Sequence, residues 1–351
     1  MLDAPTPRVV FGVGAVDRVA DEVAGLGVER ALVIGTRAAD QVADDLGPRL
    51  ATRCRDTRQH VPEELADATT KVAAEASVDG IVAVGGGSAI GLGKAVAVTT
   101  GALLVAVPTT YSGSEMTPVY GITGTHKRTG RDERARPRVV VYDPALTVGL
   151  PPAAAGPSGL NALAHCVEAL YGPTANPVGD LYALEGARLL ATALPAVVDR
   201  PDDLAARADA LLGAQLAGMA FTAGGSALHH KLCHVLGGTF RLVHGEVNAV
   251  VLPQVAAFNA VAVPDALARV AAALGGPADP DAAGGLLYDL AARLGAPTSL
   301  AQLGLPCDSL HIAAGRAADE LAAPGPASNP RPVDEPSLWA LLKDAFDGRR
   351  P

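Results

Sequence analysis

Residues Gly80-Ile81-Val82-Ala83-Val84 are apolar without alternation and run straight into Gly85-Gly86-Gly87-Ser88, after which Ala89 to Thr99 has the spacing of a helix. A strand with apolar side chains on both sides must be covered on both faces, which is the situation of a parallel sheet flanked by crossover helices. Two further runs have the same character: Ala31 to Ile34, ending at Gly35, and Leu103 to Val107, closed by Pro108. Arg8 to Phe11 is a shorter one. Helical spacing separates them at Val16–Leu26, Ala38–Leu50 and Pro62–Ala76, the last with Glu63 and Glu64 early, where a helix dipole favours acids. Residues 1–153 are therefore expected to form a Rossmann-like α/β domain.

Past Pro151-Pro152 the strand-like runs largely stop. Ser158–Tyr171, Pro177–Leu194, Asp202–Ala220 and Gly225–Leu236 read as helices, and more follow through Phe346. The expectation for 154–351 is an all-α domain, with Gly275–Asp281 and Ala322–Pro332 as loops. A chain of 351 residues with 49% hydrophobic but only 3% aromatic residues has to build both cores from Ala, Val and Leu. The net charge of −9 argues against a general nucleic-acid surface. No uninterrupted apolar run reaches spanning length and no apolar leader precedes Pro5-Thr6-Pro7, so no membrane partner and a cytoplasmic location are expected. Four scattered cysteines without a C-x-x-C pair read as reduced thiols, Cys166 and Cys233 as small core residues.

Several stretches carry potential chemistry. Gly86, Gly87 and Ser88 lie between strand and helix, where glycines admit a pyrophosphate to free backbone N–H donors. Gly12-Val13-Gly14 lacks the third glycine of a dinucleotide fingerprint and is not assigned to phosphate. After Ile34, where an acid would hold ribose hydroxyls, stand Thr36 and Arg37, which accommodate a 2′-phosphate; NADPH is expected to serve as well as NADH. Thr109, Thr110 and Ser112 follow the third strand and are placed to line a ligand crevice. The basic run 126–138, HKRTGRDERARPR, reads either as a solvated hairpin or as an arm that attracts an anion.

Four of the eight histidines fall between Gly224 and Asn248. His230 and His234 are four apart and share a helix face; Gly237-Gly238 is expected to break that helix, with His244 in the turn beyond. Asn161 and His165 form another such pair upstream. Together with His230 and His244 they have the outline of a four-ligand metal site, against a core reading in which the histidines are merely hydrogen-bonded. Asn161 offers only a neutral carbonyl, which weakens the metal reading.

As a set, GGGSAIGLGKA (85–95), PTTYSGSEMTP (108–118), NALAHCVEALY (161–171), HHKLCHVLGG (229–238) and NPRPV (329–333) resemble the iron-containing alcohol dehydrogenase superfamily. The resemblance runs from about Arg8 to the end of the chain and is greatest to the maleylacetate reductases. It implies an N-terminal nucleotide-binding domain, a helical C-terminal domain, an active site in the cleft between them and a homodimer. The alcohol dehydrogenases' ligand motif falls on Asn161, His165, His230 and His244, with Asn161 where they have Asp, which fits reductases that work without a required metal. His234 matches the histidine beside nicotinamide and substrate. Around His244-Gly245 and Asn248 the chain is more similar to the alcohol dehydrogenases.

The activity this implies is reduction of the conjugated C=C bond of maleylacetate to 3-oxoadipate by NADH or NADPH, in aromatic-compound degradation. The catalytic candidates are His234, His244, His165 and His230, since imidazole titrates near neutral pH and supplies both enolate stabilisation and a proton. Asn161, Lys231 and Arg241 are the candidates for holding the dicarboxylate substrate. Three alternatives stand beside it: a metal-dependent alcohol dehydrogenase, a lyase resembling 3-dehydroquinate synthase, and a non-catalytic nucleotide-binding homologue.

Overall fold

The computed structural model describes residues 6–124, 127–322 and 329–351. The chain divides into two compact units, Met1–Leu150 and Pro151–Pro351.

In the first unit the strands β1 (Arg8–Phe11), β2 (Ala31–Ile34), β3 (Leu50–Cys54), β4 (Gly80–Gly85), β5 (Leu103–Pro108) and β8 (Val139–Tyr142) form one sheet in the order β1-β8-β5-β4-β2-β3. All its pairings are parallel. The helices are α1 (Val19–Gly25), α2 (Ala39–Asp45), α3 (Glu63–Glu75) and α4 (Gly87–Thr100). Val33, Val82, Val84, Val105, Val107, Val139 and Val141 share one core with Val19 and Val23 of α1 and Val42 and Ala43 of α2. The alternate residues face the other way: Ile81, Ala83 and Leu104 lie against Gly93 of α4. Both faces are covered, as the unalternating strands require.

Two departures from expectation stand out. The helix expected to reach Leu50 ends at Asp45, and Leu50–Cys54 is an edge strand. Gly47 at φ 52° turns the chain there, and the strand's half-buried LATRC lacks the apolar run of its neighbours. The basic run is split. Lys127–Arg131 is β7, antiparallel to β6 (Val119–Thr123), while His126 lies outside the described residues. Three of its arginines are paired: Arg128 with Glu63 of α3, Arg134 with Asp132, and Arg136 with Glu133. That matches the solvated-hairpin reading.

The second unit holds α5 (Pro152–Ala169), α6 (Pro177–Asp199), α7 (Leu204–Gly224), α8 (Leu228–Phe240), α9 (His244–Asn259), α10 (Pro264–Ala273), α11 (Ala282–Arg293), α12 (Leu310–Ala322) and α13 (Glu335–Asp347). One core joins Leu228, Leu232 and Leu236 of α8 to Val247, Val250 and Val251 of α9, Ala313 and Ala317 of α12, and Leu338 and Leu342 of α13. Gly237-Gly238 does not break α8. The helix continues to Phe240 because Val235 and Leu236 are anchored in that core, and packing overrides the glycines' low propensity. It stops at Arg241, which is left-handed at φ 56°, and His244 is the first residue of α9, not a turn residue. Among the described helices α6, at 23 residues, is long and apolar enough to cross a membrane. Asp180, Glu185 and Arg188 interrupt it, and its buried residues include Ala183, Leu190, Leu194 and Val197.

Candidate functional site

In the first unit the chain leaves β2 for β3 on one side and returns to β4 on the other. The carboxyl ends of β2 and β4 thus flank a point where the winding reverses, the usual ligand crevice of open α/β sheets. Gly35 and Gly85 end these strands, both at φ 149°. A Cβ on Gly35 would lie 2.3 Å from the Val84 carbonyl, and one on Gly86 would lie 2.8 Å from Thr110 Cγ2. Gly86 caps α4 without a side-chain bond, and Gly87 and Ser88 open its first turn. Beside them a cavity of about 410 Å³ is lined by Thr36, Arg37 and Ala38 after β2, Thr109 after β5, and Leu146, Gly149 and Leu150 after β8. Thr36 and Arg37 are exposed. These features fit a dinucleotide: backbone donors and a helix N-terminus for pyrophosphate, a guanidinium for a ribose phosphate. Ser112 differs from its expected partners, because its hydroxyl turns to Glu115 (3.4 Å) and to the Ser114 amide (3.4 Å).

Behind this loop sits a buried polar group that the sequence did not flag. Lys94 Nζ donates to the carbonyls of Ser114 (2.5 Å), Thr117 (2.9 Å) and Val119 (2.9 Å) and to Thr117 Oγ1 (3.0 Å). Burial pulls the ammonium down to about 7, with Glu115 opposing the shift. Burial likewise pushes the Glu115 carboxyl up, while Tyr142 donates to it at 2.8 Å. This network pins residues 112–119 to α4.

In the second unit Asn161, His165 and Glu168 recur along one face of α5. The His165 ring stacks on His230 of α8, with centroids 4.8 Å apart at 17°, and Phe221 packs against both. His234, one turn along α8, stacks on His244 at 6.2 Å. The histidines named from the sequence thus fall into two stacked pairs.

Glu168 and His229 were missed. Glu168 Oε1 accepts the His229 amide (2.7 Å); Oε2 accepts the His230 amide (3.4 Å) and lies 2.6 Å from His230 Nδ1. Burial alone would push the Glu168 carboxyl up, but these bonds together hold it below its usual range. Burial lowers His229 to about 4, so it is neutral. Its Nε2 faces the Asn248 carbonyl at 3.3 Å. The available signal for Glu168 was an acid in an apolar helix three residues after His165. Lys231 belongs elsewhere: its ammonium reaches Glu320 of α12 at 3.4 Å. Arg241 is exposed at the end of α8.

Residues 5–144 match the family described as iron-containing alcohol dehydrogenase, and residues 155–346 match the C-terminal part of the same family. The chain belongs to the iron-containing alcohol dehydrogenase family. Maleylacetate reductase of Burkholderia cepacia is 45% identical over 100% of this chain and 99% of its own. The solved maleylacetate reductase of Agrobacterium tumefaciens has a TM-score of 0.91 at 44% identity, covering 100% of this chain and 98% of that one. A candidate alcohol dehydrogenase from Ralstonia eutropha has a TM-score of 0.95 at 49% identity, covering 100% and 99%. As a member of this family the chain is an oxidoreductase of the NAD-dependent dehydrogenase type with the expected fold.

Proposed function

We propose that this protein is a maleylacetate reductase, using NADH or NADPH to reduce the conjugated C=C bond of maleylacetate to 3-oxoadipate in aromatic-compound degradation. The observation that carries the reading is identity of 43% to 47% along essentially the whole chain to maleylacetate reductases. A bound reduced nicotinamide supplies the hydride. Gly86, Gly87, Ser88, Thr109 and Thr110 hold the cofactor, and Arg37 accepts the 2′-phosphate of NADPH.

The chain's own task is to stabilise enolate charge on the substrate oxygen and to deliver a proton. His234 with His244, and His165, supply the N–H groups for this, with His230 as an acceptor beside His165. Asn161 donates a neutral amide hydrogen bond to the substrate, and Arg241 attracts a carboxylate. The donor set suits a divalent cation only in part. His165, His230 and His244 offer imidazoles, but Asn161 brings no charge. Among the described residues around it, the carboxylate of Glu168 has both oxygens occupied by three N–H donors. The proton chemistry is therefore assigned to imidazoles, with no metal required. The protein acts as a homodimer in the cytoplasm.

The second reading, a metal-dependent alcohol dehydrogenase, is favoured by the 49% identity to the Ralstonia eutropha protein and by the segment His244-Gly245 to Asn248. The two separate in one assay. Oxidation of NADH and of NADPH is followed with maleylacetate and with simple aldehydes. Turnover of maleylacetate with both cofactors is expected. Activity on aldehydes alone overturns the substrate, and strict NADH use overturns the role of Arg37.

A further inference from the structure

We infer that Glu168 is a positioning residue for His230, fixing its imidazole as the Nδ1–H tautomer and leaving the Nε2 lone pair for the reacting groups. The carboxylate is fully buried, and His230 is 5% exposed. Three donors converge on two acceptor oxygens: the amides of His229 and His230 and His230 Nδ1 at 2.6 Å. An unprotonated Nδ1 at that distance would set a lone pair against a carboxylate oxygen. Nδ1 therefore carries a proton, and in the neutral tautomer Nε2 then carries none.

The neighbour is consistent with a single proton arrangement. His229 Nε2–H donates to the Asn248 carbonyl at 3.3 Å, which leaves His229 Nδ1, 3.5 Å from His230 Nδ1, as an acceptor. His230 Nε2 is buried and has no hydrogen-bond partner among the described residues. Stacking on His165 and contact with Phe221 prevent the ring from turning away. A carboxylate that locks one imidazole nitrogen so that the other acts is a general device for orienting functional histidines. Its consequence for turnover rests on the function proposed above.

The test uses the full-length protein labelled with 15N-histidine. Long-range proton–nitrogen correlation spectra report the tautomer, and the His230 signal is assigned by its loss in His230→Gln. Wild type is expected to show Nδ1 protonated and Nε2 bare. In Glu168→Gln an amide has one acceptor oxygen for three donors, so that pattern is lost. Turnover of maleylacetate by Glu168→Gln should fall about 10- to 100-fold in kcat. The fall should vanish when the same change is made in His230→Gln, because one residue acts through the other. A protonated Nε2 in wild type, or an equal loss in both backgrounds, overturns the inference. Should Glu168→Gln fail to fold, the wild-type tautomer alone decides. The spectra need no substrate, so a correct tautomer without maleylacetate turnover would refute the proposed function and leave the positioning intact.

Discussion

Asn161 carries the argument about metal at the scale of single residues. It stands one helical turn before His165, and a carboxylate there would add a full negative charge to three imidazoles. Asn161→Asp is expected to raise Zn²⁺ or Fe²⁺ affinity by about tenfold or more, equivalent to ~1.4 kcal/mol. Metal content after dialysis measures it, and unchanged content would count against this geometry. His229 makes a second prediction. Its pKa falls from 6.5 to about 4 on burial, so between those values the unfolded chain binds a proton that the native state does not. Stability is thus lost as pH drops through that window, by roughly 3 kcal/mol when complete. The depressed Glu168 carboxyl acts in the same direction at lower pH. Urea unfolding at several pH values from 7.5 down to 4.5 checks this, and a flat profile would contradict it. His229→Gln should remove the upper part of the slope.

Helix crossings hold the second unit's histidines in register at the scale of elements. A Cβ on Gly224, the last residue of α7, would lie 2.2 Å from the Ala169 carbonyl and 2.7 Å from Ala169 Cα. Ala169 adjoins Glu168, so Gly224→Ala forces α5 away at the point where it grips His230. The expected cost is about 1–3 kcal/mol, with a lower melting temperature and reduced turnover. A variant as stable and active as wild type would show that this contact is slack. Nothing in the sequence points to such a crossing. Helical spacing identified α5, α7 and α8 as segments but not which glycine lets two backbones touch. It also misjudged Gly237-Gly238, where local propensity pointed to a break and burial of Val235 and Leu236 carried the helix through. The edge strand β3 was hidden for the opposite reason, having too few buried residues to look like its neighbours.

At the scale of the whole molecule, the alternation of apolar strands and helices foretold the parallel sheet, and the loss of that alternation after Pro151-Pro152 foretold a helical second unit. The placement of Gly86, Thr36, Arg37 and Thr109 after strand ends was legible because close backbone approach and free donors demand particular residue types there. Glu168 and the Lys94–Glu115–Tyr142 network were not, since a buried charge is explained only by partners distant in sequence. Burial of Glu168 against both His229 and His230 is the arrangement from which the positioning of His230 is inferred. On the proposed function these imidazoles work without a metal. This is tested most directly by kcat/KM for maleylacetate on protein stripped by chelator, with residual metal quantified. Activity equal to untreated protein and no gain from added Fe²⁺ or Zn²⁺ are expected; activity lost on stripping and restored by either ion would overturn metal-free catalysis.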